Sequence, residues 1–221
     1  MTTTQAEQLV HIPEGAIHIE GMLALPENAQ GIVLFAHGSG SSRHSPRNNY
    51  VARILRESGI GTLLMDLLTP QEDANYETRF DIPLLTRRLL TATSWIRAEK
   101  ITRNLPIGYF GASTGAAAAL QAAAELGEGI SAVVSRGGRP DLAGSHELSK
   151  VKAPTLLLVG GFDDVVIELN RAAYAHMNCH KELVIIPGAT HLFEEPGTLE
   201  EVARQAAAWF KSYLKVMPET S

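Results

Sequence analysis

Three short stretches of this 221-residue chain set reactive side chains beside glycines: Gly111-Ala112-Ser113-Thr114-Gly115, Gly160-Gly161-Phe162-Asp163-Asp164 and Pro187-Gly188-Ala189-Thr190-His191. A serine hydroxyl is a weak nucleophile until a base takes its proton. Histidine suits that task because its pKa lies near neutrality, and a carboxylate can orient the imidazole and stabilise its protonated form. Ser113, an aspartate from the Asp163-Asp164 pair and His191 supply these three types in the chain order Ser, Asp, His. Asp66 is a more remote choice for the acid. A G-x-S-x-G pentapeptide alone is weak support, since a chain rich in Gly and Ala can form one in an ordinary surface turn.

The elements around these stretches supply the context. Ile107 to Phe110 reads as a short buried strand and Ala116 to Ala124 as a helix, which puts Ser113 on a strand-to-helix turn, over a helix N-terminus that favours developing negative charge. Gln8 to Leu25 alternates apolar and polar residues around Pro13-Glu14-Gly15, the pattern of an antiparallel hairpin at a sheet edge. Ile32 to Ala36, Ile60 to Leu68, Ile130 to Val134, Pro154 to Val159 and Glu182 to Ile186 are apolar runs expected as strands. Helices are expected from Ser45-Pro46 to Gly59, Ile82 to Arg97, Val166 to Met177, and from a capping box at Thr198-Leu199-Glu200-Glu201 onward. Thr69 to Arg79 is expected as a loop bordering a pocket. Strands and helices alternate from Gly31 onward, so the fold class is α/β: a doubly wound, mostly parallel sheet of eight strands with helices on both faces and reactive groups at the strand C-termini.

Composition narrows the function classes. The net charge of −5 offers no basic excess to draw nucleic acid or an anionic membrane, and no run of about 20 apolar residues occurs. The N-terminal residues lack a basic segment followed by an apolar core, and the expectation is one cytoplasmic domain spanning residues 1–221. Cys179 is the only cysteine, which excludes an intramolecular disulfide and a thiolate metal cluster.

Four motifs together, His37-Gly38-Ser39-Gly40, Gly111-Ala112-Ser113-Thr114-Gly115, Gly160-Gly161-Phe162-Asp163 and Gly188-Ala189-Thr190-His191, resemble the α/β-hydrolase superfamily and within it its dienelactone-hydrolase-like group. The resemblance covers nearly the whole chain, with one departure: Ser113 stands where the best-known dienelactone hydrolases carry cysteine. It implies Ser113 as nucleophile, His191 as general base and then acid, Asp163 as its support, and an oxyanion hole from the backbone N–H groups of Ser39 and Thr114. It also implies cleavage of small carboxylic esters or lactones without metal or cofactor; no insertion long enough to form a lid domain appears between the expected strands, so a site open to solvent or covered only by loops is expected. A catalytically silent ligand- or partner-binding module, and another acyl-transfer or peroxidase-type activity on the same residues, are the alternatives. His37 is expected to shape the oxyanion loop rather than to act as a base. Arg43 and Arg47, beyond that loop, and Arg136 and Arg139, in another strand-end loop, are candidates for binding a substrate carboxylate. Surface ion pairs are the competing reading of these arginines.

Overall fold

The computed structural model describes residues 6–215. Its centre is an eight-stranded sheet in which β1 (Gln8–Glu14), β2 (Ile17–Ala24), β3 (Ile32–Ala36), β4 (Gly61–Met65), β5 (Ile107–Ala112), β6 (Ala132–Arg136), β7 (Thr155–Gly160) and β8 (Lys181–Ile186) lie in the order β1-β2-β4-β3-β5-β6-β7-β8. The first two strands form the antiparallel hairpin at the edge, β2 pairs antiparallel with β4, and every later pairing is parallel. Side-chain patterning follows this placement. Every residue of β3, β4, β5, β6 and β7 is buried, as expected of strands covered on both faces, whereas the edge strand β1 alternates.

Two apolar layers flank the sheet. On one face Val51 and Leu55 of α1 (Pro46–Glu57) meet Val202, Ala206 and Phe210 of α7 (Thr198–Tyr213) over Phe35 and Phe110. On the other, Leu85 and Leu89 of α3 (Ile82–Ala98) pack with the alanines of α4 (Thr114–Leu126) and with Leu148 of α5 (Ser145–Lys150). Ala173 of α6 (Asp164–His176) joins that second layer. The alanine run of α4 has no side chain beyond Cβ to hold it away, and its fully buried positions let the helix lie close against β5.

Several local expectations differ from the structure. The segment 69–79 is not plain loop: Thr69 caps a one-turn helix, α2 (Pro70–Asp73), its hydroxyl accepting from the Glu72 N–H while the Glu72 carboxylate accepts from the Thr69 N–H. Pro140–Ala143 and Glu77–Phe80 form 3-10 turns. β6 begins two residues later than the apolar run suggests and continues through Ser135 and Arg136, because the ladder pairs Gly111 with Ser135 and Ala112 with Arg136 whatever their polarity. The capping box at Thr198 does not form. Gly197 is the N-cap, the Thr198 hydroxyl donates to the Glu195 carbonyl, and Arg204 and Gln205 take the Glu201 carboxylate.

Among the described residues no helix is long and apolar enough to cross a membrane, and no group of three or more His, Cys, Asp or Glu is placed to hold a metal ion. The connections between strands carry only short helices and turns besides the layer helices, so no lid domain is inserted among these residues.

Candidate active site

Ser113 occupies the single residue between β5 and α4, with φ 50° and ψ −122°. Side chains other than glycine's rarely accept this backbone region, and a serine held there stores strain of about 1–3 kcal/mol. The surroundings enforce it. The Ser113 carbonyl accepts from the N–H groups of Ala116 and Arg139, and its own N–H donates to the Arg136 carbonyl. Glycine at 115 is required because a Cβ there would stand 2.1 Å from the Ala36 carbonyl oxygen, and at 111 a Cβ would stand 2.5 Å from the Ala116 Cα. The start of α4 thus lies directly against the end of β3, and the hydroxyl projects from the C-terminal edge of the sheet.

His191 reaches the same edge on the loop after β8, and Asp163 immediately precedes α6. The His191 Nδ1 and the Asp163 Oδ2 are 2.6 Å apart. With the carboxylate accepting, Nδ1 carries the proton and Nε2 is left as the basic nitrogen. Asp164 is exposed at the first position of α6; of the two adjacent aspartates, Asp163 is the partner of His191. The loop is held in place: the Phe162 N–H donates to the Ala189 carbonyl at 2.9 Å, Thr190 binds the Glu195 carboxylate through both its N–H and its hydroxyl, and Phe193, at φ 55°, buries its ring.

Ser113 and His191 line one cavity of about 220 Å³ together with Gly38, Ser39, Ser41, Ser45, Arg47, Asn48 and Arg136. Among the described residues the Ser113 hydroxyl makes no direct hydrogen bond to the His191 ring; such contacts are often long before substrate binds. Ser39 lies in the loop after β3 and Thr114 is the first residue of α4, whose N–H has no intrahelical acceptor. Gly38 presses that loop against the serine, since a Cβ there would meet the Ser113 Cβ at 2.9 Å.

His37 and Arg43 tie the loop after β3 to the end of β4. His37 is buried, accepts at Nε2 from the Leu67 N–H at 3.0 Å, and faces the Gly38 carbonyl with Nδ1 at 2.9 Å. These contacts require the neutral ring with its proton on Nδ1, and burial pushes its pKa below the ordinary histidine value. The Arg43 N–H donates to Asp66 Oδ1 at 2.7 Å, and the Arg43 guanidinium binds Asp66 and, at 2.6 Å, Glu20. Arg43 does not line this cavity; Glu20 of β2 and Asp66 offer its guanidinium two carboxylates, as in the competing ion-pair reading of the sequence. Arg139 is likewise taken, bidentate, by Asp141.

Arg47 and Arg136 do face the cavity. Arg47 reaches Glu194 at 3.3 Å. Arg136 lies within β6 rather than in a loop, beside Ala112, and is only 6% exposed. Burial, and after it the like charge of Arg47, pushes its pKa down to about 10, so it stays protonated at neutral pH. The sequence signal that would have singled it out is a charged residue continuing an apolar strand. Nothing in the sequence marks Asn48, a buried residue of α1 that meets Arg136.

No family model matches the chain. Over 94% of its length it is 56% identical to a protein of Mycobacterium tuberculosis strain H37Rv named "Putative phosphoribosyl transferase", and it spans about half (47%) of that relative's length. A crystal structure of dienelactone hydrolase from Anabaena variabilis is 54% identical, with a TM-score of 0.92 over 95% of this chain and 99% of that one. Est1E from Butyrivibrio proteoclasticus shares the fold at 18% identity, with a TM-score of 0.79 over 92% of this chain and 98% of that one. With this sheet order, a serine on the strand-to-helix elbow and that level of identity over nearly both chains, the protein belongs to the dienelactone-hydrolase-like group of the α/β-hydrolase fold.

Proposed function

We propose that the chain is a serine hydrolase that cleaves small carboxylic esters or lactones through an acyl-enzyme on Ser113. The observation that carries this reading is the 2.6 Å contact between His191 Nδ1 and Asp163 Oδ2 at the rim of the cavity that Ser113 enters. The Ser113 Oγ attacks the carbonyl carbon while His191 Nε2 takes its proton, and the Asp163 carboxylate stabilises the resulting imidazolium. The backbone N–H groups of Ser39 and Thr114 receive the developing oxyanion, aided by the α4 dipole. Collapse expels the alcohol, which takes the proton from His191. Water, deprotonated by the same ring, then attacks the acyl-enzyme and releases the acid and free Ser113. A lactone follows the same course, with its leaving alcohol still tethered to the acyl group.

The structural neighbours named dienelactone hydrolase and esterase support hydrolysis. The transferase name belongs to relatives about twice as long, and the serine, histidine and aspartate here favour acyl transfer to water. A fluorophosphonate probe tests the reading. Wild-type protein is expected to be labelled, Ser113→Ala is not, and ester turnover is expected to fall by about 10³-fold or more in that variant. Absence of labelling in the wild type would favour a silent binding module, and labelling that survives Ser113→Ala would remove this residue as nucleophile.

A further inference from the structure

A second cavity, of about 200 Å³, lies on the hairpin side of the sheet, where β2 meets the end of β4 and the start of α2. Its carboxylates and guanidiniums are those of Glu20, Arg43, Asp66 and Arg88, and it shares no lining residue with the cavity at Ser113. In each guanidinium two nitrogens are taken by carboxylates and one is left over. Arg43 gives Nη2 to Glu20 at 2.6 Å and Nη1 to Asp66, while its buried Nε has no partner. Arg88, its side chain only 5% exposed, has Nε 2.5 Å from Glu14 and Nη2 2.7 Å from Glu72, while its buried Nη1 has no partner. Acceptor capacity remains as well. Glu20 gives Oε2 to Arg43, which leaves Oε1 to accept from a ligand. A buried N–H without an acceptor is unfavourable until something supplies one.

We propose that this cavity binds a small uncharged polyol, a sugar or sugar alcohol, at a site separate from the candidate active site. The charge balance disfavours an anion: the carboxylates of Glu14, Glu20, Asp66 and Glu72 surround the two guanidiniums and already neutralise them. The donor pattern disfavours a carboxylate or phosphate too, since those groups pair with two parallel N–H donors of one guanidinium, and here each guanidinium offers a single N–H. A hydroxyl matches such a site. It accepts from a lone N–H while donating to a carboxylate oxygen. Ile19, Leu68 and Pro70 line the same cavity and give the C–H groups of a polyol an apolar surface to lie on. The volume holds roughly six or seven water molecules' worth of ligand, the scale of glycerol to a monosaccharide. The proposal does not depend on hydrolysis at Ser113. Arg43 nevertheless connects the two regions, because its N–H donates to Asp66 at 2.7 Å from the loop that also carries Ser39.

Isothermal titration of the wild-type protein tests this with glycerol, myo-inositol and D-glucose against sodium succinate, an anion, and glycine, a zwitterion. At least one polyol is expected to bind with a dissociation constant of about 0.1–10 mM, and succinate and glycine are expected to give no saturable heat. Glu20→Gln keeps the shape of a half-exposed side chain and removes its charge, and is expected to weaken that polyol by about 10- to 100-fold. Hydrogen exchange on the wild-type protein locates the ligand without relying on a variant. The bound polyol is expected to slow exchange at the Arg43 N–H and to leave the loop around His191 unchanged. Preference for succinate or glycine, no binding by any of the five compounds, or protection around His191 in place of Arg43 would each overturn the proposal. So would full binding by a folded Glu20→Gln protein. Titration reads binding alone, so failure of fluorophosphonate labelling would remove the hydrolase reading and leave the polyol site standing.

Discussion

Acidification should destabilise the fold through His37 before it affects the carboxylates. The ring is buried, and its two contacts, Leu67 N–H to Nε2 and Nδ1 to the Gly38 carbonyl, are satisfied only by the neutral form. Burial therefore holds the folded-state pKa below the value of 6.5 that the unfolded chain shows. Below pH 6.5 the unfolded chain binds a proton that the folded chain refuses. The stability present above that pH falls as the pH falls, until the folded ring itself is protonated. If it stays neutral down to pH 5.5, the loss between pH 7.5 and 5.5 reaches about 1.4 kcal/mol, or roughly 3–6 °C in melting temperature for a chain of this size. Glu72, Glu195 and Glu201, whose pKa values lie below the usual 4.5, remain ionised in the folded protein throughout this window. The assay is urea unfolding at half-unit pH steps on wild-type protein and on His37→Gln, which keeps an acceptor for the Leu67 N–H but cannot titrate. The variant should be less stable at pH 7.5 by about 1 kcal/mol, for one lost hydrogen bond, and should fall more shallowly towards pH 5.5. Parallel slopes for the two proteins would refute the assignment of a buried neutral ring.

Asp66→Ala removes the acceptor that fixes the Arg43 N–H and guanidinium. The loop after β3, which carries the proposed oxyanion donor Ser39, is then no longer tied to the end of β4, and kcat should fall by about 10- to 100-fold with KM little changed, as steady-state kinetics would show. Arg43→Ala should impair acidic and neutral esters equally, because its guanidinium serves Glu20 and Asp66; a selective rise in KM for the acidic ester would restore it to the substrate site. The strain at Ser113 gives another comparison: Ser113→Gly should be more stable to urea than Ser113→Ala by about 1 kcal/mol, since glycine accepts φ 50° and ψ −122° more readily. Equal midpoints would mean the elbow is unstrained.

The neighbourhood of the candidate site shows where sequence reasoning succeeds and where it stops. Pairings within a few residues were legible: Pro46 after Ser45 opens α1, and the glycines at 111 and 115 mark a turn where backbones crowd. The helix at Pro70–Asp73 was equally local, since its Thr69 and Glu72 form a capping box, yet the polar composition around it masked the signal. The Thr198 motif failed for the opposite reason: Arg204 and Gln205 took the glutamate that the box needed. Arg43 and Arg136 could not be separated by sequence. Both are arginines near strand ends, and their fates depend on Glu20, 23 residues before Arg43, and on the register that sets Arg136 beside Ala112.

By itself the sequence determined the α/β class, the sheet of eight strands and the order in which serine, aspartate and histidine arrive at strand ends, because hydrophobic period and turn chemistry are written in neighbouring residues. Only the tertiary structure decided which aspartate meets His191, which arginine is already paired and which is left facing the cavity. Those outcomes depend on distances between residues far apart in the chain, and they come into being only once the strands align.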